Sequence, residues 1–553
     1  MKSLADDFSK GRLRRELLLF KSWIQFFKAN YNGAEELAQE SLKLTKEQKL
    51  GSKLDLAINY FLLGFIGLAQ GNQTKALDYA MKSLKRNKEL NLAVAIAEDY
   101  SFIARIYRLE GDYDQALHYC KKSLSIAEIT KQKKLEVLRI LSEVYYHKSE
   151  FNKAIKYLQQ ALALSEELNV PFQIINNLCL LGYFYRFSKF SLALEYFERS
   201  LMLSEKWGYI LGEAHSLSLL ITAYIDENSR GIANRYLSRL SELFDKTKDK
   251  GEVDISFLYL FSKAYMMKTS TMMHDHVEAQ ALFKKLIDYI SANPAGIEDY
   301  LFYSLGNLCD LLLEELSIYN DPKILGELLP LITKSIDIAE TGRNYFWLVK
   351  IKSLQAKLAL IQMNIKEAKK LMVEAQHIAE LHGLHSLAWG ISSDHDKLLE
   401  QVDVWEIVKR EKSSIGERIK LASINKTIDR IQGKSALEPP ELVDEQSTVL
   451  LILSEGGVLV FSYPFSDEWR VDEDLFSSFL SAFASFGTEF FSKGLDRVKF
   501  GDDILLMESI GSISFCYLYK GQTYLAKQKL VKFIEELQGN SLLWQDIENL
   551  GGN

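Results

Sequence analysis

Along the first 400 positions, apolar residues recur at three- and four-residue spacing, the period of one face of an α-helix. "LEGDYDQALHYCKKSLSIAE" (109–128), "KSEFNKAIKYLQQALALSEE" (148–167) and "FSKFSLALEYFERSLMLSEK" (187–206) are copies of one pattern. Each sets an aromatic near a turn, an alanine three residues on, a larger apolar residue four after that, and a small one after three more. The pattern returns at 70–89, and more loosely at 28–47, 229–246 and 364–380. Its key alanines are Ala34, Ala76, Ala116, Ala154, Ala193, Ala233 and Ala368, and Ala279 fills the same role. The preceding helix has its own signature: Leu63-Gly64, Ile103-Ala104 with Tyr107, Leu141-Ser142 with Tyr145. Small residues let two helices approach, and large ones fill the gap against the next hairpin. A stack of eight or nine helical hairpins over residues 1–395 is predicted.

These residues resemble the tetratricopeptide repeat, with its Leu-Gly, Tyr, Ala, Phe, Ala series, over roughly residues 15–395. The key alanines from 76 to 233 lie 38 to 40 residues apart instead of the family's 34, which predicts longer helices. Between 240 and 345 the pattern degrades, with inserts at "KTSTMMHDH" and "SIYNDPKILGE". The resemblance implies a right-handed superhelix whose concave groove holds a peptide, a helix or a neighbouring domain. Some members clamp a C-terminal carboxylate with Lys, Arg and Asn of the first helices. That set cannot be assembled here.

From Glu400 to Gln432, Ile407, Ile415, Ile419, Ile424, Ile428 and Ile431 fall mostly three to five residues apart. One amphipathic helix capping or connecting the array is predicted over 396–432, with a coiled-coil pairing as the other reading. "GKSALEPPELVDEQ" (433–446) then breaks the helix and reads as a linker. Past it the chain reads as a small α/β module. "LLILSEGGVLVFSYPF" (450–465) reads as a hairpin turning at Gly456-Gly457. An aromatic-striped helix follows over 472–492, capped by Asp472, then strands at 495–502, 503–510 and 512–521, and a second amphipathic helix to about 540. The order β-β-α-β-β-β-α over 447–540, with a tail at 541–553, suits a five-stranded antiparallel sheet. It resembles the roadblock/longin superfamily, in particular archaeal versions attached to helical repeats. Such modules are not enzymes. The resemblance implies pairing through an edge strand or helix face, and docking or regulation of Ras-like small GTPases.

Composition narrows the function. Apolar residues make up 47% of the chain and charged ones 25%, as in ordinary folded proteins. Residues 447–553 hold 8 Lys/Arg against 15 Asp/Glu, which accounts for the whole formal charge of −7. Neither part has the basic stripe of a nucleic-acid binder, and the acidic part favours a partner with a basic patch. Four scattered cysteines without a CxxC, no signal peptide and no spanning apolar run predict a cytoplasmic protein.

No GxxxxGK[ST], GxSxG or HExxH occurs, so no catalytic, cofactor-binding or metal residue is assigned and no enzyme is expected. The nearest things to a metal set are His274, Asp275, His276 and Glu278, and the trio His377, His382 and His385. A polar loop explains the first better, and the trio has no carboxylate or cysteine to complete it. Tyr107, Tyr145, Phe190, Phe197 and Tyr224 fall at packing positions. The expected function is therefore a non-enzymatic protein-interaction scaffold. Its groove would bind a peptide or protein, and its C-terminal module would form a homodimer or dock a small GTPase. The alternative is a ligand- or peptide-sensing regulator, marked by a closed, polar-lined cavity where the scaffold would have an open groove.

Overall fold

The structure, a computed structural model, describes residues 2–28, 30–47, 53–126, 130–148, 150–186, 188–247, 253–292, 298–432, 445–454, 458–465, 497–500 and 503–551. Along the chain, helices come in nine successive pairs among the described residues, from Lys2–Phe27 with Tyr31–Glu47 to Tyr345–Ile361 with Ile365–Leu381. A small sheet module follows. The chain divides into two compact units. One comprises Met1–Leu354, Leu381–Leu384 and Ile415–Ala436, and the other Gln355–Glu380, His385–Ser414 and Leu437–Asn553. Among the described residues no helix is long and apolar enough to cross a membrane.

In the helical unit the repeat chemistry behaves as its pattern predicts. The key alanines 34, 76, 116, 154, 193, 233 and 279 each have 0% exposure, so each marks a close helix approach. A tyrosine of the first helix stacks on one of the second in four successive pairs: Tyr107 on Tyr119, Tyr145 on Tyr157, Tyr185 on Tyr196, Tyr224 on Tyr236. First helices end in left-handed turns, which Gly71 and Gly111 enter at φ +73 without a Cβ penalty. Second helices end on Asn91 and Asn169, the side chain that best tolerates that conformation.

Gly182 is where helices press hardest. A Cβ there would stand 2.4 Å from Cε1 of the fully buried Phe197. Gly182→Ala should therefore cost about 1–3 kcal/mol by overpacking. Gly231→Ala, with nothing within 4 Å, should be neutral or stabilise by about 0.4–1 kcal/mol. Urea unfolding of both variants checks the contrast.

Two sequence expectations need correction. The inserts at 268–276 and 317–327 are largely helical, and His274–Glu278 lie in a helix where a polar loop is expected: helices end at Lys268 and Tyr319 and resume at Met273 and Lys323. The extra residues lengthen the helices, to 20 residues for Met273–Ala292 and 22 for Glu298–Tyr319. The single helix expected over 396–432 is three short ones, Val402–Glu411, Ile415–Leu421 and Ile424–Ile431. Lys412 and Ser423 take positive φ, at 53 and 51, and break it twice. The last two helices pack on Glu298–Tyr319 in the helical unit. Ile415 N donates to Asn320 Oδ1 (2.8 Å), and Gln432 Nε2 to the Gly306 carbonyl (3.2 Å).

The second unit carries a five-stranded antiparallel sheet: β1 (Gln446–Leu453), β2 (Leu459–Pro464), β3 (Arg497–Phe500), β4 (Asp503–Ile510) and β5 (Ile513–Lys520). Their order is β2-β1-β5-β4-β3. This matches a roadblock/longin-like topology. One face packs Leu450, Ile452, Leu506, Phe515 and Tyr519 against Ala526, Leu530 and Ile534 of the helix Thr523–Gly539. Residues 541–551, expected as tail, form another helix, whose Trp544 and Ile547 join that face. The turn at Gly456-Gly457 and the helix expected over 472–492 lie outside the described residues.

The unit also includes the repeat helices Ile365–Leu381 (to Glu380) and His385–Glu400. Arg497, on β3 and 2% exposed, is the fastener. Its Nη1 donates to Asp396 Oδ1 and Ser392 Oγ, both at 3.0 Å, and its Nη2 to Gln376 Oε1 at 2.6 Å. Asp396 Oδ1 also accepts from Thr523 Oγ1 at 2.7 Å, and Lys527 pairs with Glu380 at 2.9 Å. A buried guanidinium is stable only with such partners.

Candidate functional site

One residue past each packing tyrosine of a first helix, the side chain turns about 100° to another face. Arg108 follows Tyr107, Tyr146 follows Tyr145, and Arg186 follows Tyr185. With His147, Tyr183 and Phe184 these residues line an internal cleft of about 360 Å³, closed on the far side by Tyr265, Tyr300, Tyr303 and Asn307. A second cleft of about 550 Å³ shares Arg108 and His147 and adds Phe65, Arg105, Tyr113 and Trp347.

Side chains meet across the clefts. Tyr183 Oη and Tyr303 Oη stand 2.8 Å apart, and Tyr300 Oη lies 3.2 Å from His215 Nε2. At the edge, Arg343 Nη1 is 3.7 Å from Glu110 Oε1. Lys148 Nζ donates to Asp114 Oδ1 at 2.8 Å and to the Gly383 carbonyl at 3.2 Å. The third and fourth helix pairs thus meet the chain again at 343–346 and 381–384, and the clefts lie inside.

The cleft charges are matched. Arg108 Nε is 3.0 Å from Glu143 Oε2, and Arg186 pairs with Asp226, which also accepts from Tyr265 Oη at 2.6 Å. Arg105 is held more loosely, with Nη1 3.8 Å from Glu136 Oε1 and the guanidinium 4.8 Å from the centre of the Phe65 ring. Burial, aided by Arg108, pushes His147 down to about 3, and burial pushes His215 down to about 4. Both are neutral at pH 7; His215 meets Tyr300 by a hydrogen bond, and His147 stacks on Tyr113. Burial also raises the thiol of Cys179, so it supplies no thiolate there. Neutral imidazoles, paired guanidiniums and aromatic faces suit reversible binding.

The histidine clusters singled out from sequence are dispersed. His274 Nδ1 is 3.0 Å from Asp275 Oδ1, His276 Nε2 sits 2.7 Å from the Ser270 carbonyl, and Glu278 pairs with Lys263 at 2.8 Å. His377 is exposed, His382 stacks on Tyr345, and His385 Nδ1 lies 3.0 Å from Tyr524 Oη. Among the described residues no group of three or more His, Cys, Asp or Glu is placed to hold a metal. Sequence reasoning missed Arg108, Tyr146, Arg186 and Tyr303. The offset of one residue from the packing tyrosines was the available signal for the first three.

Known proteins echo the helical pattern. The tetratricopeptide repeat family matches residues 96–167. Human tetratricopeptide repeat protein 29 is 29% identical over 132 residues, 23% of this chain and 27% of that protein. Its Macaca fascicularis counterpart is 30% identical over the same length. The match therefore spans about a quarter of the length of these curated relatives. Aspartyl phosphate phosphatase F from Bacillus subtilis is similar in structure at 16% identity and a TM-score of 0.43, covering 54% of this chain and 75% of that one. A Rap protein complexed with competence and sporulation factor is similar at 13% identity and a TM-score of 0.42, covering 75% and 99%. The chain is a tetratricopeptide-like helical solenoid followed by a small module of five strands and helices.

Proposed function

We propose that the protein is a non-enzymatic interaction scaffold whose internal clefts bind a segment of a partner protein or a peptide. The observation that carries this is the pair of adjoining clefts, about 360 and 550 Å³, which share Arg108 and His147 and are walled by aromatic rings. Pockets of that size take several side chains, and rigid aromatics with a few hydrogen-bonding groups give them orientation. The four free, buried cysteines suit action in a reducing, cytoplasmic setting. The sheet module would serve as a second docking platform for a Ras-like small GTPase or another roadblock/longin module.

A second reading gains from contacts between facing walls of the first cleft. Tyr183–Tyr303 and His215–Tyr300 bridge facing walls through hydrogen bonds, so an occupant would act on both walls at once. That is how a ligand-sensing regulator would be built.

The test is selection of binding peptides from a random displayed library against the full chain, followed by titration. Arg108→Ala with Tyr146→Ala should weaken the selected peptides at least tenfold, while Tyr463→Ala in the sheet module should not. Peptides whose affinity ignores both cleft substitutions would overturn the proposal. GTPase capture should likewise use the full chain, since a fragment beginning at 441 lacks Gln376, Ser392 and Asp396, the partners of Arg497.

A further inference from the structure

The first helix, Lys2–Phe27, has two apolar sides. Leu18, Ser22 and the stem of Arg15 are buried against the neighbouring helices, with Ser22 Oγ donating to the Ala34 carbonyl at 2.6 Å. On the opposite side Leu13, Leu17, Phe20, Ile24 and Phe27 are 39–79% exposed. Their spacing is four, three, four, three: an unbroken a/d seam over two heptads. A helix that is apolar on both sides is ordinarily covered on both, and a seam of this period is shaped for another helix.

We propose that a second copy of this chain covers that seam, its first helix lying parallel to the first. A stripe related to itself by a two-fold axis is complementary to itself. With Leu13 and Phe20 at d and Leu17 at a, Glu16 falls at g and Lys21 at e. In a parallel pair Glu16 faces the partner's Lys21 twice. In an antiparallel pair Arg14, Lys21 and Lys28 would face one another with like charge. The five side chains present roughly 500 Å² of apolar surface per copy; with the flanking stems, two copies approach the roughly 1,200 Å² at which specific interfaces begin.

The experiment is sedimentation equilibrium of the full chain from about 1 to 100 μM. The expected mass approaches twice 63.4 kDa. Leu17→Glu with Phe20→Glu should return it to 63.4 kDa with an unchanged thermal melt, because both side chains are exposed. Glu16→Lys should weaken the dimer at least threefold, and adding Lys21→Glu should restore it. Phe20→Cys should cross-link under mild oxidation, since the four native cysteines are buried. A monomer at 100 μM, a dimer indifferent to the Leu17/Phe20 pair, or a monomer that instead co-sediments with anionic vesicles would each overturn the proposal.

Discussion

Asp396→Ala is expected to lower the melting transition of the second unit by about 10 °C and leave that of the helical unit in place. The substitution removes the Asp396 carboxylate from the wholly buried Arg497, whose contacts with Ser392 and Gln376 are to neutral acceptors. It also removes the acceptor of Thr523 Oγ1 at the start of the closing helix. Breaking one side of a buried ion pair costs about 3–5 kcal/mol, and a unit of this size shifts by about 2–4 °C per kcal/mol. Replacing both partners, Asp396→Leu with Arg497→Met, should recover most of the loss, because no uncompensated charge remains. Scanning calorimetry, which resolves separate transitions, reads this directly. A shift below 3 °C would mean that Arg497 is not what fastens the last repeat helices to the sheet.

Asp99 should make the helical unit lose stability as pH rises. Its carboxyl is buried, with Asn87 Nδ2 donating to it at 2.7 Å, and burial raises it to about 7 from an ordinary 3.8, outweighing the hydrogen bonds from Asn87 and Ser83. Between those values the folded chain holds a proton that the unfolded chain has released. The stabilisation from that proton is fully present below about pH 4 and is lost as pH rises through about 7. A shift of roughly three units corresponds to about 4 kcal/mol by pH 8. Asn59 and Asn177 occupy the corresponding places in two other repeats, so Asp99→Asn suits the site. The variant should match wild type near pH 4, gain on it steadily between about pH 4 and 7, and hold a constant lead above that in urea midpoints. Parallel profiles across pH 4–8 would show that Asp99 ionises freely in the fold.

Much of the fold was legible because repetition multiplies weak signals. One alanine three residues after an aromatic says little. Eight at matching places, all fully buried, define a series of helix contacts. The sheet was legible because short apolar runs punctuated by Gly- and Asp-containing turns replace the helical period before it. What stayed hidden was long-range. Nothing local announces that Arg497 reaches Asp396, or that Tyr183 meets Tyr303 across 120 positions. The first depends on how the sheet docks on the repeat helix beside it, the second on how the stacked helices curve, and the residues of many interfaces set both jointly. The break at Lys412 was hidden too, since isoleucines spaced three to five apart suit one helix as well as three. The candidate site was half visible: its wall residues neighbour the packing tyrosines, but their convergence is a property of the curved stack.

The central claim, that the internal clefts are the binding surface, is tested most directly by hydrogen–deuterium exchange of the full chain with a library-selected peptide. Binding should slow exchange in the cleft-facing stretches of the first helices, around 105–109, 143–147, 180–186 and 300–307. It should leave the outward second helices and the strands unchanged. Protection confined to the second helices or to the sheet, with those stretches exchanging as before, would contradict it.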